Sequence, residues 1–175
     1  MRRDLPPDPF AYLQQLPARA PGRVEAKTVV VDSTRPTIRM RAVVEKSGNQ
    51  AITTGAAFTT VTFATTLFDT VGLYTANKFT IPTTGKVTGP WRLFGQVTWA
   101  GDSAGTRRQL RLRKNAATTL RTVEMSPVAN PQSQLIEYIV NDPNPSDFYE
   151  LQVSHDAGHD VNVTPDAQFG IIHHW

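Results

Sequence analysis

The chain contains no cysteine. Disulfides, thiolate zinc sites and cysteine nucleophiles are therefore excluded, and nothing argues for an oxidising compartment. Nor is there an apolar run approaching the roughly 20 residues needed to span a bilayer, so no membrane insertion is expected. The opening Met1-Arg2-Arg3-Asp4-Leu5-Pro6-Pro7 carries arginines, but its prolines and the aspartates Asp4 and Asp8 break the apolar stretch that a secretory signal needs. Positive charge is not massed: the formal net charge is only +3, with lysine and arginine spread along the chain, which gives no support to nucleic-acid binding. Phosphate loops, nucleophile elbows and paired-cysteine motifs are all missing. The expectation is a soluble protein made in a cytosol, not an enzyme, with no cofactor and no bound metal.

What is present suits one compact domain plus a tail: 175 residues with 13 prolines, 11 glycines, 9% aromatics and 39% hydrophobics. A sandwich of roughly 130 residues buries about two thirds of its unfolded surface, enough to hold without covalent staples. Residues 1–37 read differently from the rest. Asp8 can cap a short helix with Pro9 at its first position, which brings Phe10, Leu13 and Leu16 near one face. That helix is too short to stand alone. Pro17, Pro21 and Gly22 end it, and residues 24–32 (VEAKTVVVD) read as a strand or extended arm. Two readings stand: a flexible leader, or an anchoring arm whose Phe10, Tyr12, Leu13 and Leu16 need a neighbouring chain to bury them.

From residue 38 onward the chain is a series of short β segments separated by turn residues. Residues 38–45 form the first, and 57–63 alternate with Val61 and Phe63 on one face. Residues 91–99 are the clearest strand, with Trp91, Leu93, Val97 and Trp99 on the core face and Arg92, Phe94, Gln96 and Thr98 opposite. Residues 107–114 put Leu110 and Leu112 inward and Gln109, Arg111 and Arg113 outward. Further strands are read at 118–125, 134–140, 148–153, 161–163 and 169–175. Eight to ten short strands with almost no helical periodicity imply an all-β sandwich.

Within this pattern residues 63–99 are specific enough to suggest a family. Phe68-Asp69-Thr70 is followed by Gly72-Leu73-Tyr74, then by Phe79-Thr80-Ile81-Pro82 with Gly85 behind, and by a long strand ending in Trp99. Later come Arg111-Leu112-Arg113-Lys114-Asn115, Asp147-Phe148-Tyr149-Glu150-Leu151-Gln152-Val153 and Phe169-Gly170-Ile171-Ile172-His173. Over residues 50–175 this resembles the complement C1q-like branch of the tumour-necrosis-factor jelly rolls. Two departures are loop changes: Gly85 is followed by Lys86-Val87-Thr88-Gly89-Pro90 before the aromatic Trp91, and Asn144-Pro145-Ser146 stands where a glycine precedes the aspartate. The fold expectation is an all-β jelly-roll β-sandwich, C1q/TNF-like, at residues 38–175, with an extended N-terminal arm at 1–37.

The resemblance implies a homotrimer, in which one sheet packs on the core with one face and on neighbouring chains with the other. Phe94, opposite the core set, and Ile136 or Tyr138, opposite Leu135 and Ile139, are the candidates for that second face. No Gly-X-Y repeat precedes the domain, so the arm must supply any tether. Cysteine-free heads of this kind are similar to those of tailed-bacteriophage particles. The implied function is a non-enzymatic virion structural protein, tethered by its arm to other virion proteins of a tail, baseplate or capsid and contacting the host surface. Its place would be the virion, assembled in the host cytoplasm and then extracellular.

An alternative is a carbohydrate-recognising tip, with Tyr74 and Trp91 stacking on host cell-surface glycan and Arg111 and Arg113 contacting it. A glycan depolymerase would need two carboxylates roughly 5 to 9.5 Å apart in a groove. Asp156 and Asp160 are the only near pair, and His155-Asp156-Ala157-Gly158-His159-Asp160 reads as a polar hairpin loop rather than a metal cluster. Asp69 and Asp102 read as turn caps. The arginines at 107, 108, 111, 113 and 121 read as a basic stripe or as cross-strand partners of Glu124 and Glu137.

Overall fold

The computed structural model describes residues 40–83 and 88–174. The chain separates into two units, Met1–Pro36 and Thr37–Trp175, and the described residues belong to the second. The anchoring-arm candidates Phe10, Tyr12, Leu13 and Leu16 lie outside them.

Among the described residues every regular element is a strand. In chain order they are β1 (Arg41–Glu45), β2 (Gln50–Ile52), β3 (Gly55–Thr60), β4 (Thr65–Asp69), β5 (Tyr74–Thr75), β6 (Lys78–Thr80), β7 (Trp91–Trp99), β8 (Arg108–Lys114), β9 (Thr118–Met125), β10 (Gln132–Val140), β11 (Phe148–His155), β12 (Val161–Val163) and β13 (Gln168–His173). They form two antiparallel sheets. The first runs β2-β12-β7-β13-β1-β4, with β10 on the other side of β7; the second runs β5-β6-β11-β8-β9, with β3 also on β11.

Alternation along the strands fixes how the sheets meet. In β7, Trp91, Leu93, Val97 and Trp99 are buried while Arg92, Phe94 and Gln96 are only half covered, as a strand with one face on a core requires. From the second sheet Leu110, Leu112, Tyr149, Leu151 and Val153 meet them, and Phe63, Phe79 and Phe169 fill one end, with the Phe79 and Phe169 ring centroids 4.7 Å apart. The sheets approach closely at Gly95: a Cβ there would lie 2.7 Å and 2.9 Å from the two methyl groups of Leu151. Only glycine leaves room for that leucine.

Turns follow local chemistry. Thr75 pairs with Lys78, so Ala76-Asn77 is a two-residue hairpin loop, and both residues have positive φ, 51° and 64°, the type I′ geometry that suits strand twist. At the open side of the sandwich the edge strands β9 and β10 are laced by side chains. Gln134 Nε2 donates to the Val123 carbonyl at 3.0 Å, and Arg121 Nη1 donates to the Glu137 carbonyl at 3.0 Å. Edge carbonyls that would otherwise await a foreign strand are thereby occupied.

Candidate functional site

The outer face of the first sheet is built by register. Across β10, β7, β13, β1 and β4, Glu137 stands beside Phe94, Gly170, Val43 and Phe68 in one row. The next row is Ile139, Arg92, Ile172 and Arg41, and the row on the other side is Leu135, Gln96, Gln168, Glu45 and Thr65. An apolar band thus crosses the sheet on the side away from the core. Phe94 lies flat along it because a Cβ at Gly170 would fall inside the Phe94 ring. Leu135 and Ile139 are 69% and 55% exposed, and Phe68 is exposed at the far edge under the Arg41 guanidinium, 4.8 Å from its ring centroid.

Phe94 therefore lies on the outer face, as alternation in its strand requires. For β10 the sequence reading is corrected. Ile136 is 3% exposed within the core and Tyr138 packs against it, so Leu135, Glu137 and Ile139 carry the outer face. The reason is Gln134, a polar residue in the inward phase. Its amide is fully used there: Trp99 Nε1 donates to Oε1 at 3.2 Å, and Nε2 donates to the Arg108 and Val123 carbonyls. A buried amide with partners on both sides is no obstacle to burial.

Among the described residues one ion pair sits within this face. Arg92 Nε and Nη2 reach the two oxygens of Glu137 at 2.8 and 2.9 Å. The Arg92 hydrogen bond holds the Glu137 carboxyl below the usual carboxylate range, and Glu137 raises Arg92 in turn. Beside the pair is an open pocket walled by Phe94, Leu135 and Ile136 and rimmed by Arg92, Arg121 and Glu137.

The remaining candidates are placed elsewhere. Trp91, offered to a glycan by the sequence reading, is 0% exposed in the core, with the His173 ring 4.9 Å away, so it cannot stack on a sugar. Alternation along β7 had already put it in phase with Leu93 and Trp99. Tyr74 is half-buried against Phe79, and its hydroxyl lies 2.9 Å from the Phe63 carbonyl oxygen and 3.0 Å from Asn77 Oδ1. Arg111 and Arg113 do lie on the outer face of the second sheet. Arg111 stacks 3.6 Å over Phe58 and donates from Nε and Nη2 to Gln152 Oε1. Arg113 stands opposite Glu150 in the β8–β11 register.

His155, Asp156 and His159 of the 155–160 segment tie loops together. His155 is not a loop residue: it ends β11, fully buried, with Nε2 2.6 Å from the Ile52 carbonyl oxygen and Nδ1 accepting the Ala157 N–H. Asp156 accepts from the Thr106 and Arg107 amides and from the Thr106 hydroxyl. Those bonds, the hydroxyl first, hold its carboxyl far below the usual range. His159 bonds Asp102, whose other oxygen caps the Ala104 N–H. Asp69 accepts from the Val71, Leu73 and Tyr74 amides. Among the described residues no group of three or more metal-ligating side chains converges, and no helix is long and apolar enough to cross a membrane.

Arg108 does not join a basic stripe. It points inward, 1% exposed, donates from Nη2 to the Asp102 carbonyl at 3.1 Å and lies 5.7 Å over the Trp99 ring. Glu137 pairs with Arg92 rather than with a β8 arginine, and Glu124 accepts from Gln109 Nε2 at 2.7 Å.

No protein-family model matches this sequence, and no curated protein does. Solved structures do match in shape. Murine APRIL at pH 5.0 superposes with a TM-score of 0.58 at 11% identity, over 78% of this chain and 99% of that one. Murine APRIL at pH 8.0 gives 0.56 at 12% over the same shares. The Eiger TNF of S. frugiperda gives 0.54 at 14%, over 78% of this chain and 93% of that one. Identities so low speak to architecture alone. The two antiparallel sheets, their strand order and these likenesses together identify the domain as a jelly roll of the C1q/TNF-like fold.

Proposed function

We propose that this protein is a non-enzymatic structural and binding module that self-associates as a homotrimer through the outer face of its first sheet. The observation that carries this reading is the apolar band of the half-covered Phe94 and Ile172 with the exposed Phe68, continued by the exposed Leu135 and Ile139. Large hydrophobics gathered on one sheet face mark a surface meant for another protein chain. The fold shared with the TNF structures supports three chains rather than two, since sheet-face packing around a threefold axis is the assembly the resemblance implies.

The finer reading is a virion component, with residues 1–37 as the tether to other particle proteins and the heads presented to the host surface. Its support is resemblance: cysteine-free heads of this kind are similar to those of tailed-bacteriophage particles, and here a proline-rich segment precedes the head, with apolar residues Phe10, Tyr12, Leu13 and Leu16 that lack a core of their own in sequence. Three identical heads in fixed geometry would raise the effective concentration of weak contacts to a patterned surface. The glycan contact of this reading falls to Arg111 and Arg113 on the second sheet, since Trp91 is buried and Tyr74 is engaged.

The test is substitution on the outer face. Phe94→Asp and Leu135→Asp are expected to lower the solution mass of the full chain while leaving its β-sheet circular dichroism intact. An unchanged mass for both refutes this face as the interface. Removal of residues 1–37 is expected to abolish incorporation into the particle, and a particle that still takes up the truncated chain refutes the tether.

A further inference from the structure

The outer face of the first sheet is not uniformly apolar, and its polar centre is specific. Arg92 and Glu137 pair bidentately across β7 and β10, in the rows that also hold Phe94, Ile139 and Ile172. In the single chain this pair is 41% and 49% exposed. An ion pair so well solvated contributes little to folding. Once a second chain covers the face, the same pair loses its water, and breaking it leaves an uncompensated charge in an apolar setting.

We propose that the Arg92–Glu137 pair is the specificity and release element of the self-association face: it admits a second copy of this chain while Glu137 is ionised and expels it when Glu137 takes a proton. The inference rests on the self-association reading above and names its regulation. Its logic is a count of charges. Among the described residues, those acting on Glu137 from neighbouring elements are Arg92 on β7, Arg121 on β9 and His174 beyond β13. Arg92 and Arg121 carry positive charge. Glu137 is the one carboxylate among them, so its protonation leaves Arg92 and Arg121 facing an apolar partner surface with no counter-charge. The pocket they rim with Phe94 and Leu135 would be covered in the same event.

The sign follows from linkage. Glu137 is held below the ordinary carboxylate range by Arg92, so the interaction is complete at neutral pH and is lost as pH falls through that depressed value. A single protonation in the interface weakens association about tenfold for each pH unit between the bound and free values.

The experiment measures association of the full-length chain by analytical ultracentrifugation at pH 7.5 and pH 2.5, with circular dichroism confirming folded protein at both. Three chains are compared: wild type, Glu137→Gln, and the apolar replacement Arg92→Met with Glu137→Leu. Wild type is expected to associate at pH 7.5 and to weaken about tenfold at pH 2.5, once the depressed Glu137 value has been crossed. Glu137→Gln should be weak at both values, and the double replacement tight at both, as apolar pairs of similar volume commonly are. Wild-type association equally tight at both pH values overturns the release element while leaving the interface standing. A pH dependence that persists unchanged in Glu137→Gln overturns it too, by assigning the proton elsewhere. Wild type monomeric at pH 7.5 refutes the self-association reading itself, and this inference with it.

Discussion

Substituting Gly95 and Leu151 together tests whether the two sheets meet as described. Gly95 sits in the middle of β7 and Leu151 in the middle of β11, and a Cβ on Gly95 would come within 2.7 Å and 2.9 Å of the leucine methyls and 3.4 Å of Ile136 Cγ2. Gly95→Ala alone overpacks the core and costs about 2 kcal/mol. Leu151→Ala alone removes a fully buried side chain and costs about 3 kcal/mol by lost transfer energy and cavity formation, which lowers the melting temperature by about 10 °C. Independent sites would give an additive loss of about 5 kcal/mol. Because the alanine methyl enters the space that Leu151→Ala vacates, the double variant should lose only about 3 kcal/mol, a coupling of about 2 kcal/mol in its favour. Urea unfolding followed by tryptophan fluorescence reads this directly through Trp91 and Trp99. All four proteins must be compared at one protein concentration, since association adds to apparent stability. Additivity within about 0.5 kcal/mol would refute the face-to-face contact of these strands.

Two further outcomes are expected from the polar side chains. Gln134→Leu leaves the Trp99 indole N–H and the Arg108 and Val123 carbonyls without their partner, so it should destabilise by about 1–3 kcal/mol despite being more apolar; equilibrium denaturation that shows a gain contradicts the role given to the amide. Asp156→Ala should loosen the loop between β7 and β8, seen as faster amide exchange at Thr106 and Arg107, whose N–H groups it now satisfies. Because the Asp156 carboxyl is held far below its ordinary value, that protection should persist from neutral pH well into acid and vanish only as the depressed value is crossed. Exchange at these amides that already rises near pH 4 would be inconsistent with this.

Much of the fold was legible because particular residues combine alternation with turn chemistry. Residues 91–99 alternate over nine positions with tryptophans at both ends, and a strand that long fixes its own faces. Three strands gave no such signal. β2 and β5 have three and two residues, too short for a period to show. β4 carries Thr-Thr-Leu-Phe-Asp with no inward hydrophobic, since it pairs only with β1 at the sheet edge. Its register slips by one residue between Val43 and Val44, and such a bulge is invisible to a strict period of two.

The candidate face was legible only in half. Phe94 was placed by its neighbours, but β10 has apolar residues in both phases, Leu135 and Ile139 against Ile136 and Tyr138. Hydropathy alone therefore cannot choose, and the choice is made by Gln134, whose partners lie on β7, β8 and β9. Glycine supplied a signal that went unread: Gly170 within an otherwise apolar strand marks the close approach of the Phe94 ring. The Arg92–Glu137 pair joins residues 45 apart in sequence, a contact that no local spacing announces. Histidine composition misled in the other direction. His155 reads as loop because Asp156 and Gly158 follow it, yet the Ile52 carbonyl gives its ring a buried partner and lets β11 run on to it.

The most direct test of the account is the solution mass of the full-length wild-type chain, measured by multi-angle light scattering at micromolar concentration near neutral pH. The apolar outer face of the first sheet predicts association, and the resemblance to the TNF fold sets the expected mass at three chains. A mass of one chain, unchanged as the concentration is raised tenfold, would contradict it.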